Sequence, residues 1–281
     1  MNDLSKVSKI IMYVLLSFLS VIIILPYLWV ISNSLTQSEL IGKFGGFSLR
    51  TFIPENITLA NYRSLFYRAN ILRIIFNTVF VATTVTALSL IINSMAAYSI
   101  ARLNIKGKKI IFAIIISTMI IPFELMLIPM YQITQQLGIV NSYAGLIIPA
   151  MASAFGIFFF RQFFLDIPKS LEESAYIEGA GMFRTYWQVI VPLMKVPFIT
   201  LGIMTFIQQW DNFLWAVTVI NTEKLTMLQV ALTFIASVND YVTDWGVVFA
   251  GVVVAAVPMI IMYLFLQKYF IQSIATVGIK G

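Results

Sequence analysis

The chain has 281 residues, of which 60% are hydrophobic and only 11% are charged, and its mean hydropathy is +0.92. A soluble domain carries about 25% charged residues, so this chain cannot cover itself with a water-compatible surface and lipid is the expected solvent. The absence of Cys and His excludes disulfides, thiol nucleophiles and imidazole catalysis. The net charge of +6 is spread over loops, so nucleic acid is not an expected partner.

Uncharged apolar runs predict six transmembrane helices, since about 20 apolar residues cross a bilayer. The predicted spans are 10–31, 74–100, 110–131, 143–160, 196–220 and 245–266. The third is interrupted by Pro122, Glu124 and Pro129. The first run is too long for a signal peptide and has no small-residue cleavage site, so we expect it to be retained as a helix. The expected fold class is an all-α integral membrane protein with a single transmembrane domain, residues 1–281.

The distribution of Lys and Arg predicts the orientation of these spans. With the N-terminus in the cytoplasm, the cytoplasmic side holds 12 and the outside 6 of the 18 Lys and Arg residues. Positive residues are enriched on the cytoplasmic side of membrane proteins. Both termini are therefore expected to be cytoplasmic, in a prokaryotic inner membrane.

Two connections are too long to be tight turns. The external connection, 32–73, contains a helix start that Thr58 can cap. The cytoplasmic connection, 165–195, carries acids and bases of mixed sign. We call the latter the cytoplasmic segment.

The first half of the cytoplasmic segment is predicted to be helical. Ser170 can cap this helix, and Glu172 and Glu173 fall in its first turn, where negative charge suits the helix dipole. Ala175 and Gly179 are four residues apart and so share a face that another backbone could approach closely.

The second half is predicted to turn and then expose aromatic residues. Gly179 and Gly181 permit a bend. Phe183, Tyr186 and Trp187 are then expected to be exposed on a short second helix. A bulky aromatic cluster on a water-facing loop is typical of a docking surface.

The spacing of this segment resembles the signature of the permease subunits of binding-protein-dependent ABC importers. That signature is Glu-Ala-Ala, three residues, Gly, nine residues, then Ile-x-Leu-Pro. Here Glu173-Ser174-Ala175 is followed by Gly179 and then by Val189-Ile190-Val191-Pro192, and every spacing matches. In that family the segment is the coupling helix, which docks in a cleft of the ATPase subunit.

Further segments along the chain are similar to the maltose-type carbohydrate branch of that family. They are Asn77-Thr78-Val79, the run 96–102, Trp210-Asp211-Asn212-Phe213-Leu214-Trp215 and the tail 267–281. Two departures stand out: Asp211 replaces the usual Asn, and the tail lacks the usual Gly-Leu and Gly-rich stretch.

The resemblance implies a type I importer permease fold and a role as half of the translocation pathway for a sugar or oligosaccharide. It implies ATPase coupling by Glu172, Glu173, Ala175, Glu178, Gly179, Ala180, Gly181, Phe183, Arg184 and Pro192. The implied partners are a second, different permease subunit, two ATP-binding-cassette ATPases and an extracytoplasmic sugar-binding protein. No cofactor is expected on the chain itself, which has no phosphate-binding loop; the partner ATPases would use ATP and Mg.

Polar residues within the spans are candidates for the substrate pathway. These are Gln208, Gln209, Trp210, Asp211, Asn212, Trp215 and Glu124, because amides satisfy sugar hydroxyls and aromatic faces stack on sugar rings. The alternatives are interfacial anchoring for the aromatic residues and, for Glu124, hydrogen bonding to backbone groups freed by the prolines. For Glu124, the neighbouring prolines favour hydrogen bonding to the freed backbone groups over a place in the substrate pathway.

Two other functions are compatible with a polytopic membrane protein. A secondary transporter or channel driven by an ion gradient would need a relay of buried charged residues, and Glu124 and Asp211 are the only deeply placed acids. A membrane enzyme would need clustered catalytic acids or metal ligands, whereas the clustered acids here lie in the docking signature. Both are less favoured than the permease.

Overall fold

The protein is described by a computed structural model over residues 6–41, 49–54, 56–68, 70–235, 237–239 and 242–278. The helices of the first half are α1 (Lys6–Ser34), α2 (Ser38–Ile41), α3 (Ala60–Arg68), α4 (Ile71–Arg102), α5 (Lys108–Ser117), α6 (Phe123–Gln136), α7 (Tyr143–Ile147) and α8 (Ala154–Asp166). Those of the second half are α9 (Ser170–Ile177), α10 (Met182–Thr185), α11 (Val191–Leu193), α12 (Lys195–Trp210), α13 (Leu214–Val219), α14 (Leu228–Ile235) and α15 (Trp245–Gly278). The predicted helical membrane protein is confirmed, with one addition, a short antiparallel ribbon of β1 (Ser237–Asn239) and β2 (Val242–Thr243).

Three helices, α1, α4 and α15, are each long and apolar enough to cross a membrane. Three bent pairs of shorter helices raise the number of candidate spans to six if each pair is one span. The predicted number of spans is reached only on that condition, and the third bent pair joins α12 to Met182–Leu193, within the predicted cytoplasmic segment, rather than to α13 as predicted. The last helix continues past the predicted end at 266 as far as Gly278. The final three residues of the predicted tail lie outside the described residues.

The third span bends by 107° between a short 3-10 turn, Thr118–Ile120, and α6. Ile121 is extended, with φ −80° and ψ 116°, because the ring of Pro122 disfavours helical geometry in the residue before it. Pro122 also lacks the N–H that would continue the hydrogen-bond ladder. The interruption predicted from the prolines is confirmed at Pro122, whereas Pro129 is accommodated inside α6.

The fifth span differs from its predicted range, 196–220. Helix α12 ends at Trp210, and α13 begins only at Leu214. The prediction of one continuous helix is wrong, and the side chains of Asp211 and Asn212, which follow the end of α12, form hydrogen bonds with other side chains. The Asn212 amide donates to Gln209 Oε1 at 3.2 Å, and Asp211 accepts from Gln229 Nε2 at 3.1 Å.

The chain divides into two compact units, residues 1–72 with 231–258 and residues 73–230 with 259–281. In the first unit Asn61 donates to the carbonyls of Ser34 and Thr36, at 2.8 and 2.7 Å. Thr58 Oγ1 accepts from the Ala60 N–H at 3.1 Å, which confirms the predicted cap on α3. The single transmembrane domain over residues 1–281 stays a prediction.

The second unit contains two buried apolar clusters. One is built on α4, α7 and α13 and includes Val81, Val85, Leu146, Trp215 and Val219. The other joins the last turns of α4 to α8 and to the cytoplasmic segment, and includes Tyr98, Phe160, Phe164, Tyr186 and Ile190. The second cluster therefore anchors the cytoplasmic segment on membrane-spanning helices.

Candidate functional site

The first helix of the cytoplasmic segment, α9, starts at Ser170, two residues before the first of the predicted acids. Its N-cap is Lys169, whose carbonyl accepts the N–H groups of Glu172 and Glu173 at 3.0 and 3.1 Å. The prediction that Ser170 caps the helix is wrong, because Ser170 is already the first helical residue. Glu172 and Glu173 do fall in the first turn, as predicted.

Helix α9 has a buried and an exposed side. Glu172 and Ala175, three residues apart, are buried, whereas Glu173, Ile177 and Glu178 are exposed. Ala175 is only 7% exposed and Gly179 is exposed, and the close approach of another backbone to the face they share stays a prediction.

Gly179 ends α9 in the left-handed conformation, with φ +82°. The Gly179 N–H donates to the Tyr176 carbonyl at 3.0 Å and the Ala180 N–H to the Ala175 carbonyl at 2.9 Å. These two bonds form a Schellman motif, which satisfies carbonyls left unpaired at the helix end. The predicted bend at Gly179 is confirmed, and its cause is the positive φ.

The chain then continues through α10, a π-helical turn at Tyr186–Ile190 and α11. Tyr186 is only 3% exposed and exchanges a hydrogen bond of 2.7 Å with Ser94 of α4. Its ring also lies 5.1 Å from that of Tyr98. The prediction that Tyr186 is exposed is wrong, since it anchors the segment on α4. Burial raises the pKa of the Tyr186 phenol, and the hydrogen bond with Ser94 acts in the opposite direction.

The tip of the segment carries exposed apolar side chains from both of its halves. Ile177 is 87% and Phe183 62% exposed. The full set, which we call the apolar tip, is Tyr176, Ile177, Met182, Phe183 and Trp187. Around it the polar or small candidates Glu173, Glu178, Gly179, Gly181, Arg184 and Pro192 are exposed and Ala180 is half-buried. Most of the predicted coupling residues are thus exposed, whereas Glu172 and Ala175 are buried.

The predicted pathway residues at the end of α12 fall into two groups. Gln208 is exposed and Asn212 half-buried, whereas Gln209, Trp210 and Trp215 are buried. Trp210 and Trp215 are each 1% exposed, and Trp215 Nε1 donates to the Gly145 carbonyl at 3.0 Å. In this conformation neither indole offers a free face.

The polar connection after α13 is held on α4 by two side chains of the Asn77-Thr78-Val79 segment. Asn77 donates to the carbonyls of Lys224 and Thr226, at 3.0 and 3.1 Å, and accepts from the Tyr143 hydroxyl at 2.6 Å. Thr78 Oγ1 accepts the Leu228 N–H at 2.9 Å. The structural role of these residues was not predictable from the sequence, because their partners are between 66 and 150 residues away along the chain.

Glu124 lies at the bend of the third span. It is in the first turn of α6, and its side chain is exposed. A carboxylate suits the positive end of a helix dipole. Glu124 is separated along the chain from the polar cluster at 208–215, and no hydrogen bond within the described residues joins it to that cluster.

Arg102 is a further residue of the cytoplasmic site. The sequence places it at the end of the run 96–102, where it counts simply as one of the cytoplasmic cations. In the structure it is the last residue of α4 and forms an ion pair with Glu172 of α9. The sequence signal for this role is that Arg102 ends the run 96–102, which is similar to a known family, just after the predicted second span.

These features define a class of protein. It is a helical membrane protein with several candidate spans and with a segment that is anchored on them and carries an exposed apolar tip. The chain belongs to the family of binding-protein-dependent transport system inner membrane components, whose model matches residues 93–276. Members are permease components of ABC importers and are not themselves catalytic, since the ATPase is a separate subunit.

Similar proteins cover almost the whole chain. The arabinooligosaccharides transport system permease protein AraQ of Bacillus subtilis is 32% identical over 278 residues, which is 98% of this chain and 97% of that protein. The sn-glycerol-3-phosphate transport system permease protein UgpE of Brucella abortus is 30% identical, over 98% of each. A crystal structure of a bacterial ABC transporter involved in the import of the acidic polysaccharide alginate has a chain with a TM-score of 0.84 and 26% identity, covering 95% of this chain and 99% of that one.

Proposed function

We propose that the apolar tip and its polar surroundings bind an ATP-binding-cassette ATPase, and that this chain imports a sugar or oligosaccharide with it. The observation that carries the docking proposal is the exposure of Ile177 and Phe183, at 87% and 62%, on a segment whose spacing matches the coupling signature. A contiguous apolar patch outside the membrane is usually an interaction site. Aromatic residues are also enriched among the residues that dominate binding energy.

The polar residues beside the tip have a complementary role in this proposal. Glu173, Glu178 and Arg184 are exposed around the apolar side chains, and rim charges of this kind favour specificity and association rate more than affinity. Arg184 Nε donates to Gln188 Oε1 at 2.9 Å, which holds the guanidinium beside the tip.

The full assembly follows from the family and the expected orientation. We propose a second, different permease subunit, two ATPases that use ATP and Mg, and an external binding protein that delivers the substrate to the connection 32–73. Both termini lie in the cytoplasm in this proposal, which places the cytoplasmic segment on the same side as the ATPases.

The substrate class rests on relatives whose names include arabinooligosaccharides and lactose. Within the pathway we propose that Gln208, Asp211 and Asn212 offer polar groups to sugar hydroxyls. Buried Gln209, Trp210 and Trp215 support them by packing. Glu124, at the bend of the third span, is also proposed to line the pathway.

The proposal is tested by gentle purification of this chain from its native membrane, with mass spectrometry of the proteins that accompany it. The purified complex is then reconstituted in vesicles together with the proposed external binding protein and given radiolabelled arabinotriose, lactose or sn-glycerol 3-phosphate. Recovery of an ATPase and a second permease, with ATP-dependent uptake of arabinotriose or lactose, supports the proposal. Uptake of glycerol phosphate alone would contradict the sugar assignment. Uptake driven by an ion gradient without ATP would support a secondary transporter instead.

A further inference from the structure

An ion pair joins the end of α4 to the start of α9. Arg102 Nε lies 3.4 Å from Glu172 Oε1, and the two side chains are only 4% and 11% exposed. The same guanidinium donates through Nη2 to the Ile167 carbonyl, at the end of α8. One side chain therefore ties a membrane-spanning helix to both ends of the turn that leads into α9.

The burial of this pair distinguishes it from an ordinary surface ion pair. Exposed pairs contribute little because water screens them, whereas a buried charge is costly once its partner is removed. Arg102 Nε and Glu172 Oε1 are both buried and form no hydrogen bond with the described residues. The 3.4 Å contact between these two atoms is therefore an ion pair between buried groups.

Glu172 also differs from the other acids of the cytoplasmic segment. Glu173 and Glu178 are exposed beside the apolar tip, whereas Glu172 is turned toward α4. It is therefore not available to a protein that binds the tip. Within this chain it interacts with the side chains of Arg102 and Tyr98, both on α4.

We propose that Arg102 and Glu172 are positioning residues that transmit movement of α9 to α4. This inference rests on the proposed binding of an ATPase to the apolar tip. When the ATPases close and displace α9, the ion pair carries that displacement to the cytoplasmic end of a 32-residue helix that forms part of the membrane domain. Loss of the pair leaves ATP hydrolysis running with less transport for each ATP consumed.

The test uses the assembled transporter in vesicles with the variants Glu172→Gln, Arg102→Gln and the charge swap Arg102→Glu with Glu172→Arg. The matched control is Lys169→Gln, an exposed charge one turn earlier in the same segment. The measured quantity is radiolabelled arabinotriose or lactose taken up for each ATP hydrolysed, normalised to the ATPase that copurifies. A purely structural role would lower the amount of assembled complex but leave this ratio unchanged.

We expect each single variant to lower the ratio by about threefold or more, the swap to recover most of that loss, and the control to match the wild type. An unchanged ratio in the assembled single variants would overturn the inference. Loss of ATPase binding in Glu172→Gln, with a normal ratio in whatever complex remains, would overturn it too and make Glu172 an assembly residue. A wild-type chain that recruits no ATPase would instead contradict the proposed function, together with the inference resting on it.

Discussion

Gly179 shows how one backbone conformation organises the cytoplasmic segment. Its φ of +82° lets the chain reverse directly after α9, and the resulting Schellman motif pairs the carbonyls of Ala175 and Tyr176. A Cβ at this position would meet nothing within 4 Å. The requirement for glycine is therefore conformational rather than steric.

Replacing Gly179 with Ala should loosen the end of α9. A left-handed conformation costs an L-residue about 1–2 kcal/mol, so amide hydrogen exchange at Ala180 should accelerate about 5- to 30-fold. Gly181→Ala is the matched control, since Gly181 has φ −74° and equally open space around it. Gly179→Asn should fall between the two, because Asn tolerates left-handed geometry. Equal exchange in the two Ala variants would contradict this explanation.

The residues of the segment also show what spacing can and cannot predict. The spacing correctly predicted a bend at Gly179 and an exposed Phe183, because turn chemistry and polarity are local properties. It failed at Ser170 and Tyr186, whose environments depend on the preceding Lys169 carbonyl and on α4. Burial against a distant helix leaves no mark in a single sequence.

At the scale of elements, several polar candidate residues lie where helices break. Glu124 follows the bend at Pro122, and Asp211 and Asn212 follow the end of α12. The predicted number of spans is reached only when the bent pairs are joined. The proline break at Ile121–Pro122 was predictable, because the clash with the proline ring is local. The end of α12 at Trp210 was not, since the residues after it are stabilised by the Gln229 side chain from a later element.

The connection between α13 and α14 should be released by Asn77→Ala. That variant leaves the carbonyls of Lys224 and Thr226 without their donor, at a cost of about 1–3 kcal/mol. Lys224 is the only Lys or Arg between Lys195 and Lys268, so trypsin cleavage there gives a defined fragment. We expect faster cleavage than in the wild type and in the control Asn221→Ala. Equal rates in all three would show that Asn77 does not hold this connection.

At the scale of the whole molecule, orientation in the membrane decides whether the apolar tip can meet an ATPase. The chain has no Cys, so a single introduced thiol reports the side on which it lies. Ile57→Cys, 75% exposed in the predicted external connection, should react with a membrane-impermeant maleimide in spheroplasts. Lys106→Cys, exposed in the predicted cytoplasmic connection after α4 and outside the apolar tip, should react only after permeabilisation. The reverse pattern would contradict the predicted orientation and the docking proposal with it.

The docking proposal itself is tested most directly by photo-cross-linking in the native membrane. A photoreactive amino acid replaces Phe183 in one variant and Ile57 in the other, and the cross-linked proteins are identified by mass spectrometry. Binding at the apolar tip predicts an ATP-binding-cassette ATPase attached at position 183 and absent from position 57. Cross-links from position 183 to lipid alone, or to proteins without a nucleotide-binding domain, would contradict it.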